Sequence, residues 1–97
     1  MILIADGGST KADWIALNGN KEEVFRVRTK GLNPAVVPTE VLRERIMNTY
    51  QLYHNKEEVS KVYFYGAGCG TEDASKILTD LFKEIFSSAE IIVEEDL

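Results

Sequence analysis

Two glycines, Gly7 and Gly8, follow the first apolar run and Asp6, and they constrain this chain more than any other feature. The segment DGGSTK at positions 6–11 lies between apolar runs at 1–5 and 14–17. Glycine permits a tight turn and removes the Cβ atoms that would keep an anion away from the backbone. Backbone N–H groups and hydroxyls in such a loop can all face one phosphate group. The sequence therefore predicts a strand, a phosphate-binding hairpin loop and a second strand.

The rest of the pattern predicts a mixed α/β sheet with the element order β-β-β-α-β-α-β. Residue spacing predicts strands over about 1–6, 12–18, 24–29, 61–65 and 90–93. One helix is predicted over about 40–54 with Thr39 as its capping side chain, and a second follows Thr71, which caps it. A helical crossover returns the next strand parallel, so we expect a sheet with both antiparallel and parallel pairs.

Composition excludes several classes of partner. The 97 residues carry a net charge of -5, which disfavours a nucleic-acid backbone as the main partner. The apolar runs are far shorter than the ~18 residues of a membrane helix, and no signal peptide is predicted. One cysteine and one histidine cannot form an internal disulfide or a Cys–His metal site, and a catalytic thiol at Cys69 is disfavoured. We expect one cytoplasmic domain over 1–97 that does not bind membranes.

The hairpin residues have both a functional and a structural interpretation. The Asp6 carboxylate can hold Mg²⁺ through water, or it can be a turn-starting aspartate that bonds its own loop. Ser9, Thr10 and Lys11 can add hydrogen bonds and positive charge around a nucleotide phosphate. The segment lacks the spacing of a P-loop and precedes a strand instead of a helix, so a P-loop NTPase is disfavoured.

Three later positions also have both a functional and a structural interpretation. The Asn33 side-chain amide can donate to and accept from a sugar hydroxyl, and it can equally serve an ordinary Asn-Pro turn. The glycines between Gly66 and Gly70 allow close approach of a ligand, but they also fit the closure of a strand onto the next helix. Asp96 follows the last strand, where it is either a general base or part of an acidic chain end.

In combination, the DGGSTK turn, the order of strands and helices, and Asp96 resemble the superfamily of sugar kinases, Hsp70 and actin, whose lobes have a ribonuclease-H-like fold. Within it, the chain is similar to the family of N-acetylglucosamine kinases and of ATPase activators of benzoyl-CoA and hydroxyacyl-CoA dehydratases. The matching segments are the first turn, Gly31-Leu32-Asn33, Gly66-Ala67-Gly68 and the terminal EEDL, in that order.

The resemblance implies roles for individual residues. Asp6 would bind Mg²⁺ through water, Asn33 and Gly68 would bind the sugar, and Asp96 would bind it and act as general base. The ATP phosphates would be bound by the hairpin residues Gly7, Gly8, Ser9, Thr10 and Lys11.

The resemblance covers the whole chain but only an incomplete first lobe of an actin-like ATPase fold. We therefore expect an amino-terminal fragment that is inactive alone, from a parent kinase that uses ATP and Mg²⁺ on N-acetylglucosamine or a related amino sugar. A homodimeric parent is compatible with this expectation. Two other functions stay open. One is an ATPase activator of a CoA-ester dehydratase or reductase, in which Asp96 has no hydroxyl to deprotonate. The other is a non-catalytic sugar- or nucleotide-sensing module.

Overall fold

The computed structural model describes residues 1–8, 10–66 and 68–95. Its strands are β1 (Ile2–Gly7), β2 (Lys11–Leu17), β3 (Glu23–Lys30), β4 (Lys61–Gly66) and β5 (Glu90–Glu95). Its helices are α1 (Thr39–Met47), α2 (Tyr50–His54) and α3 (Glu72–Ile85). In the described part of the chain, no helix has both the length and the apolar character that crossing a membrane requires.

The strands form one mixed sheet in the order β3-β2-β1-β4-β5. The pairs β1–β2 and β2–β3 are antiparallel because short turns join these strands. The pairs β1–β4 and β4–β5 are parallel because helices carry the chain back before each new strand. The prediction of a mixed α/β sheet is therefore confirmed, and β1 lies at its centre.

The single helix predicted over 40–54 is divided into α1 and α2. Asn48 ends α1, and Thr49 adopts an extended backbone with φ -91° and ψ 109°. The Thr49 hydroxyl donates to the carbonyl of Arg45 at 2.9 Å, the kind of local bond by which threonine competes with a helix. The apolar spacing continues across this break, so periodicity alone does not reveal it.

The hydrophobic core lies between the helices and one face of the sheet. Trp14 of β2, Phe64 of β4 and Phe82 of α3 are fully buried, and their ring centroids lie 5.3 to 6.1 Å apart. The indole N–H of Trp14 donates to the hydroxyl of the buried Thr29 at 3.2 Å. This bond satisfies the polar atom of the largest core side chain, as burial of such a group requires.

The two helix-capping predictions have different outcomes. The Thr71 hydroxyl accepts a hydrogen bond from the Ala74 N–H at 3.1 Å and caps α3, as predicted. The prediction for Thr39 is wrong, because Thr39 is the first residue of α1 and Pro38 occupies the cap position without a side-chain hydrogen bond.

Removing the α3 cap should lower stability measurably. We expect Thr71→Ala to reduce the free energy of unfolding by about 1 kcal/mol, the usual effect of losing a threonine cap. Thr39→Ala is the matched control, since it removes the same hydroxyl from a helix start that does not use it. Urea denaturation measures both variants. An equal loss of unfolding free energy in the two variants would contradict the conclusion that the Thr71 hydroxyl caps a helix and the Thr39 hydroxyl does not.

Candidate functional site

The strands β1, β4 and β5 end at the same edge of the sheet, which we call the carboxyl edge. Gly7 lies opposite Gly66, and Gly66 lies opposite Glu95. The loops that follow parallel strands at such an edge commonly form ligand sites. Asp96 follows Glu95 in sequence and lies outside the described residues, so its role stays a prediction.

The hairpin loop between β1 and β2 is closed by its own backbone. The Gly8 N–H donates to the Lys11 carbonyl at 2.8 Å, and the Thr10 carbonyl accepts from the Gly31 N–H at 3.0 Å. The Gly8 N–H is therefore already used within the turn. Thr10 and Lys11 are exposed, which leaves a hydroxyl and an ammonium group facing solvent. Ser9, also predicted to bind phosphate, lies outside the described residues.

Packing explains two of the glycines at this edge. A Cβ atom on Gly7 would lie 2.5 Å from Cζ of Phe64, and a Cβ atom on Gly66 would lie 2.2 Å from Cε1 of the same ring. Both distances are too short for real contacts, so the Phe64 ring requires glycine at position 7 on the neighbouring strand β1 and at position 66 on its own strand β4. Sequence reasoning assigned Gly7 to phosphate binding and missed this packing role, because the β1–β4 register is not visible in the sequence.

Asp6 lies on the sheet face that points away from the core, opposite Asp13 on β2 and Tyr65 on β4. Like charges in facing positions repel unless one of them is compensated. Arg28 provides that compensation, because its Nε lies 2.6 Å from the Asp13 carboxylate and this hydrogen bond lowers the pKa of Asp13. Asp6 therefore presents an exposed carboxylate beside a neutralised partner.

The surroundings of Asp6 fit a magnesium ion that is held mainly by other ligands. Among the described residues, no group of three or more His, Cys, Asp and Glu side chains could hold a metal ion. Mg²⁺ that accompanies phosphates usually keeps several waters and takes only one or two carboxylates from the protein. A single carboxylate that acts through water, as predicted for Asp6, is compatible with this donor set.

Asn33 and Gly68, both predicted to bind substrate, are in direct contact. Gly68 has φ +80°, and a Cβ atom there would lie 2.0 Å from Oδ1 of Asn33. That oxygen accepts a hydrogen bond from the Ala35 N–H at 2.9 Å and fixes the turn over residues 33–37. Because Oδ1 serves the turn, the Nδ2 amide is the better placed group of Asn33 for contact with a ligand hydroxyl.

A cavity of about 680 Å³ lies beside the carboxyl edge, between the first turns of α3 and the end of β5. Cys69 and Glu95 both line it. The Glu95 side chain packs against Gly70, because a Cβ atom on Gly70 would lie 2.8 Å from Oε1 of Glu95. Burial, together with the negative charge of Glu95, raises the pKa of the Cys69 thiol to about 11. The thiol therefore stays protonated at neutral pH and is a poor nucleophile. Sequence reasoning missed Glu95, whose contact with Gly70 depends on the tertiary fold.

These features define a mixed α/β protein in which a hairpin loop, an asparagine turn and a glycine turn meet near one sheet edge. Among solved structures, the chain is similar to the crystal structure of the putative N-acetylglucosamine kinase from Porphyromonas gingivalis, with a TM-score of 0.80 and 28% sequence identity. The similarity covers 99% of this chain and 34% of that protein, so this chain spans about a third of its length. The match supports the mixed α/β fold of this chain. No protein-family model and no curated protein matches the chain.

Proposed function

We propose that this chain is part of a cytoplasmic, ATP-dependent kinase that phosphorylates N-acetylglucosamine or a related amino sugar. The observation that carries the proposal is the proximity of the hairpin loop to the turn of Asn33, which contacts Gly68. Phosphate-binding and hydroxyl-binding groups must lie close together for phosphoryl transfer, because the reaction depends on positioning and charge compensation. The similarity to the kinase from Porphyromonas gingivalis adds support.

In this proposal, the hairpin loop binds the phosphates of ATP. The exposed Lys11 ammonium and Thr10 hydroxyl would contact phosphate oxygens, with Ser9 and the backbone of Gly7 and Gly8 forming the rest of the loop. Bound Mg²⁺ would supply charge compensation for the phosphates. The Asp6 carboxylate would orient the metal from the open face of the sheet by accepting hydrogen bonds from its water ligands.

Asn33 would orient the sugar, and Asp96 would remove the proton from the attacking hydroxyl. As the hydroxyl oxygen forms its bond to the γ-phosphorus, the bond to the bridging oxygen of ADP breaks and the proton passes to the Asp96 carboxylate. Gly68 would act by leaving room for Asn33, since any side chain there would occupy the position of its amide.

A coupled assay of ADP release by the full-length parent protein, with and without a panel of sugars, tests the proposed function. ADP release that depends on an amino sugar is the expected result. Release at the same rate without sugar would favour the ATPase activator, and binding without turnover would favour a sensing module. The 97-residue chain assayed alone should show no transfer, because nucleotide pockets of this kind close between two lobes.

Asp6→Asn in the parent protein should weaken its response to magnesium. We expect the Mg²⁺ concentration for half-maximal activity to rise by about tenfold, the scale of one lost hydrogen bond to a charged group. Asp80→Asn is the matched control, because it removes the same charge from an exposed position on α3, where Asp80 pairs with Lys76. An unchanged magnesium response in Asp6→Asn would remove Asp6 from the metal site.

A further inference from the structure

Gly31 links the hairpin loop to helix α1 through both of its backbone polar groups. Its N–H donates to the Thr10 carbonyl at 3.0 Å, and its carbonyl accepts a hydrogen bond from Nη1 of Arg45. Gly31 is buried, so its carbonyl has little access to water in place of Arg45. A hydrogen bond from a guanidinium is charge-assisted and stronger than one between neutral groups. Arg45 therefore holds the backbone at Gly31 firmly against α1.

The same short segment carries Asn33. Leu32, the residue between Gly31 and Asn33, is 1% exposed and packs in the core. The position of Gly31 therefore constrains the position of Asn33 through the buried Leu32. Asn33 in turn contacts Gly68 after β4. One bond from Arg45 thus secures a segment that touches the hairpin loop at one end and the glycine turn at the other.

We propose that Arg45 is a positioning residue of this site. It sets the separation between the hairpin loop and the Asn33 turn without contacting either substrate. The inference deepens the proposed kinase function, because that separation fixes the distance between the phosphates and the sugar. Small displacements of reacting groups have large effects on phosphoryl transfer, which depends on alignment more than on covalent chemistry by the protein.

Arg43 provides a matched control on the same helix. Its Nε lies 2.6 Å from the Glu84 carboxylate of α3, and both side chains of this pair are partly exposed. Arg43→Met and Arg45→Met each remove one guanidinium from α1. Only Arg45→Met removes a donor from the buried Gly31 carbonyl, so a difference between the variants reports on that bond and not on the charge of α1.

Hydrogen–deuterium exchange of the full-length parent tests the link without requiring any activity. In Arg45→Met, peptides that contain Gly31 should exchange about tenfold faster, while peptides from β1 and β4 stay unchanged. Arg43→Met should leave the Gly31 peptides unchanged. Equal acceleration in the two variants, or none in either, would overturn the inference. If Arg45→Met unfolds, Arg45→Lys is measured instead, and it must accelerate exchange locally at Gly31 for the inference to stand.

Steady-state kinetics then separate positioning from simple stabilisation. Arg45→Met should lower kcat by roughly tenfold because the phosphates and the sugar are no longer aligned, with partial recovery in Arg45→Lys and less than a twofold change in Arg43→Met. An unchanged kcat would overturn the positioning role. If the parent lacks sugar kinase activity, the proposed function fails, while the exchange experiment still decides whether Arg45 fixes the Gly31 segment.

Discussion

Asp96→Asn in the full-length parent is expected to lower kcat for sugar phosphorylation by about 10²- to 10⁴-fold, the usual contribution of a general base. Asparagine has nearly the same shape as aspartate but cannot accept the hydroxyl proton. Sugar affinity should change by less than about threefold if the carboxylate acts mainly in the transition state. Single-turnover kinetics and calorimetric titration with the sugar measure the two quantities separately.

Glu90→Gln is the matched control for this experiment. Glu90 is exposed at the start of β5, and its backbone N–H bond to the Ser60 carbonyl survives the substitution. The variant removes one negative charge at the start of β5, so it corrects for the change in net charge. If Asp96→Asn retains the turnover of Glu90→Gln, Asp96 is not the base, and the ATPase-activator function gains support.

Local signals in the sequence predicted the sheet well, because the residues that specify a hairpin or a strand end lie within or next to that element. The glycines after Asp6 marked the first hairpin, and β1, β2 and β3 begin and end within one residue of their predicted limits. Local signals were less reliable for the caps, since the Thr71 cap was predicted correctly but Pro38 takes the cap position that was assigned to Thr39.

Features that depend on tertiary contacts were not predictable in the same way. The need for glycine at position 7 follows from the Phe64 ring, which the parallel pairing of β1 and β4 places beside that residue. The bond between Arg45 and Gly31 joins residues 14 positions apart across a loop and a helix. No spacing rule identifies such a pair, since α1 could have packed in another rotation.

In the candidate site too, the residue types were visible in the sequence, but the contacts between them were not. The resemblance implied separate substrate contacts for Asn33 and Gly68, each in its own turn. Their direct contact, and the use of the Asn33 oxygen within its turn, appear only when the loops are brought together. The residue type thus indicates which polar groups could contact a substrate, whereas the fold determines which of those groups is already used within the protein.

Gly68→Ala should disrupt both stability and substrate binding. Alanine at φ +80° costs about 1–2 kcal/mol in the backbone alone. The added Cβ atom would also lie 2.0 to 2.9 Å from three atoms of the Asn33 side chain, which must move. We expect KM for the sugar to rise by about tenfold or more as the Asn33 amide leaves its position. Thermal unfolding and steady-state kinetics of the parent measure the two effects.

Two further variants distinguish the backbone effect from the displacement of Asn33. Gly19→Ala controls for a glycine substitution as such, since no atom lies within 4 Å of its added Cβ and its φ is not positive. Asn33→Ala removes all three atoms that the new Cβ would meet. In that background, Gly68→Ala should show only the backbone cost, so the two substitutions should couple by about 1 kcal/mol or more. Additive effects would mean that Asn33 moves aside freely, and the contact would then have no part in holding the amide in place.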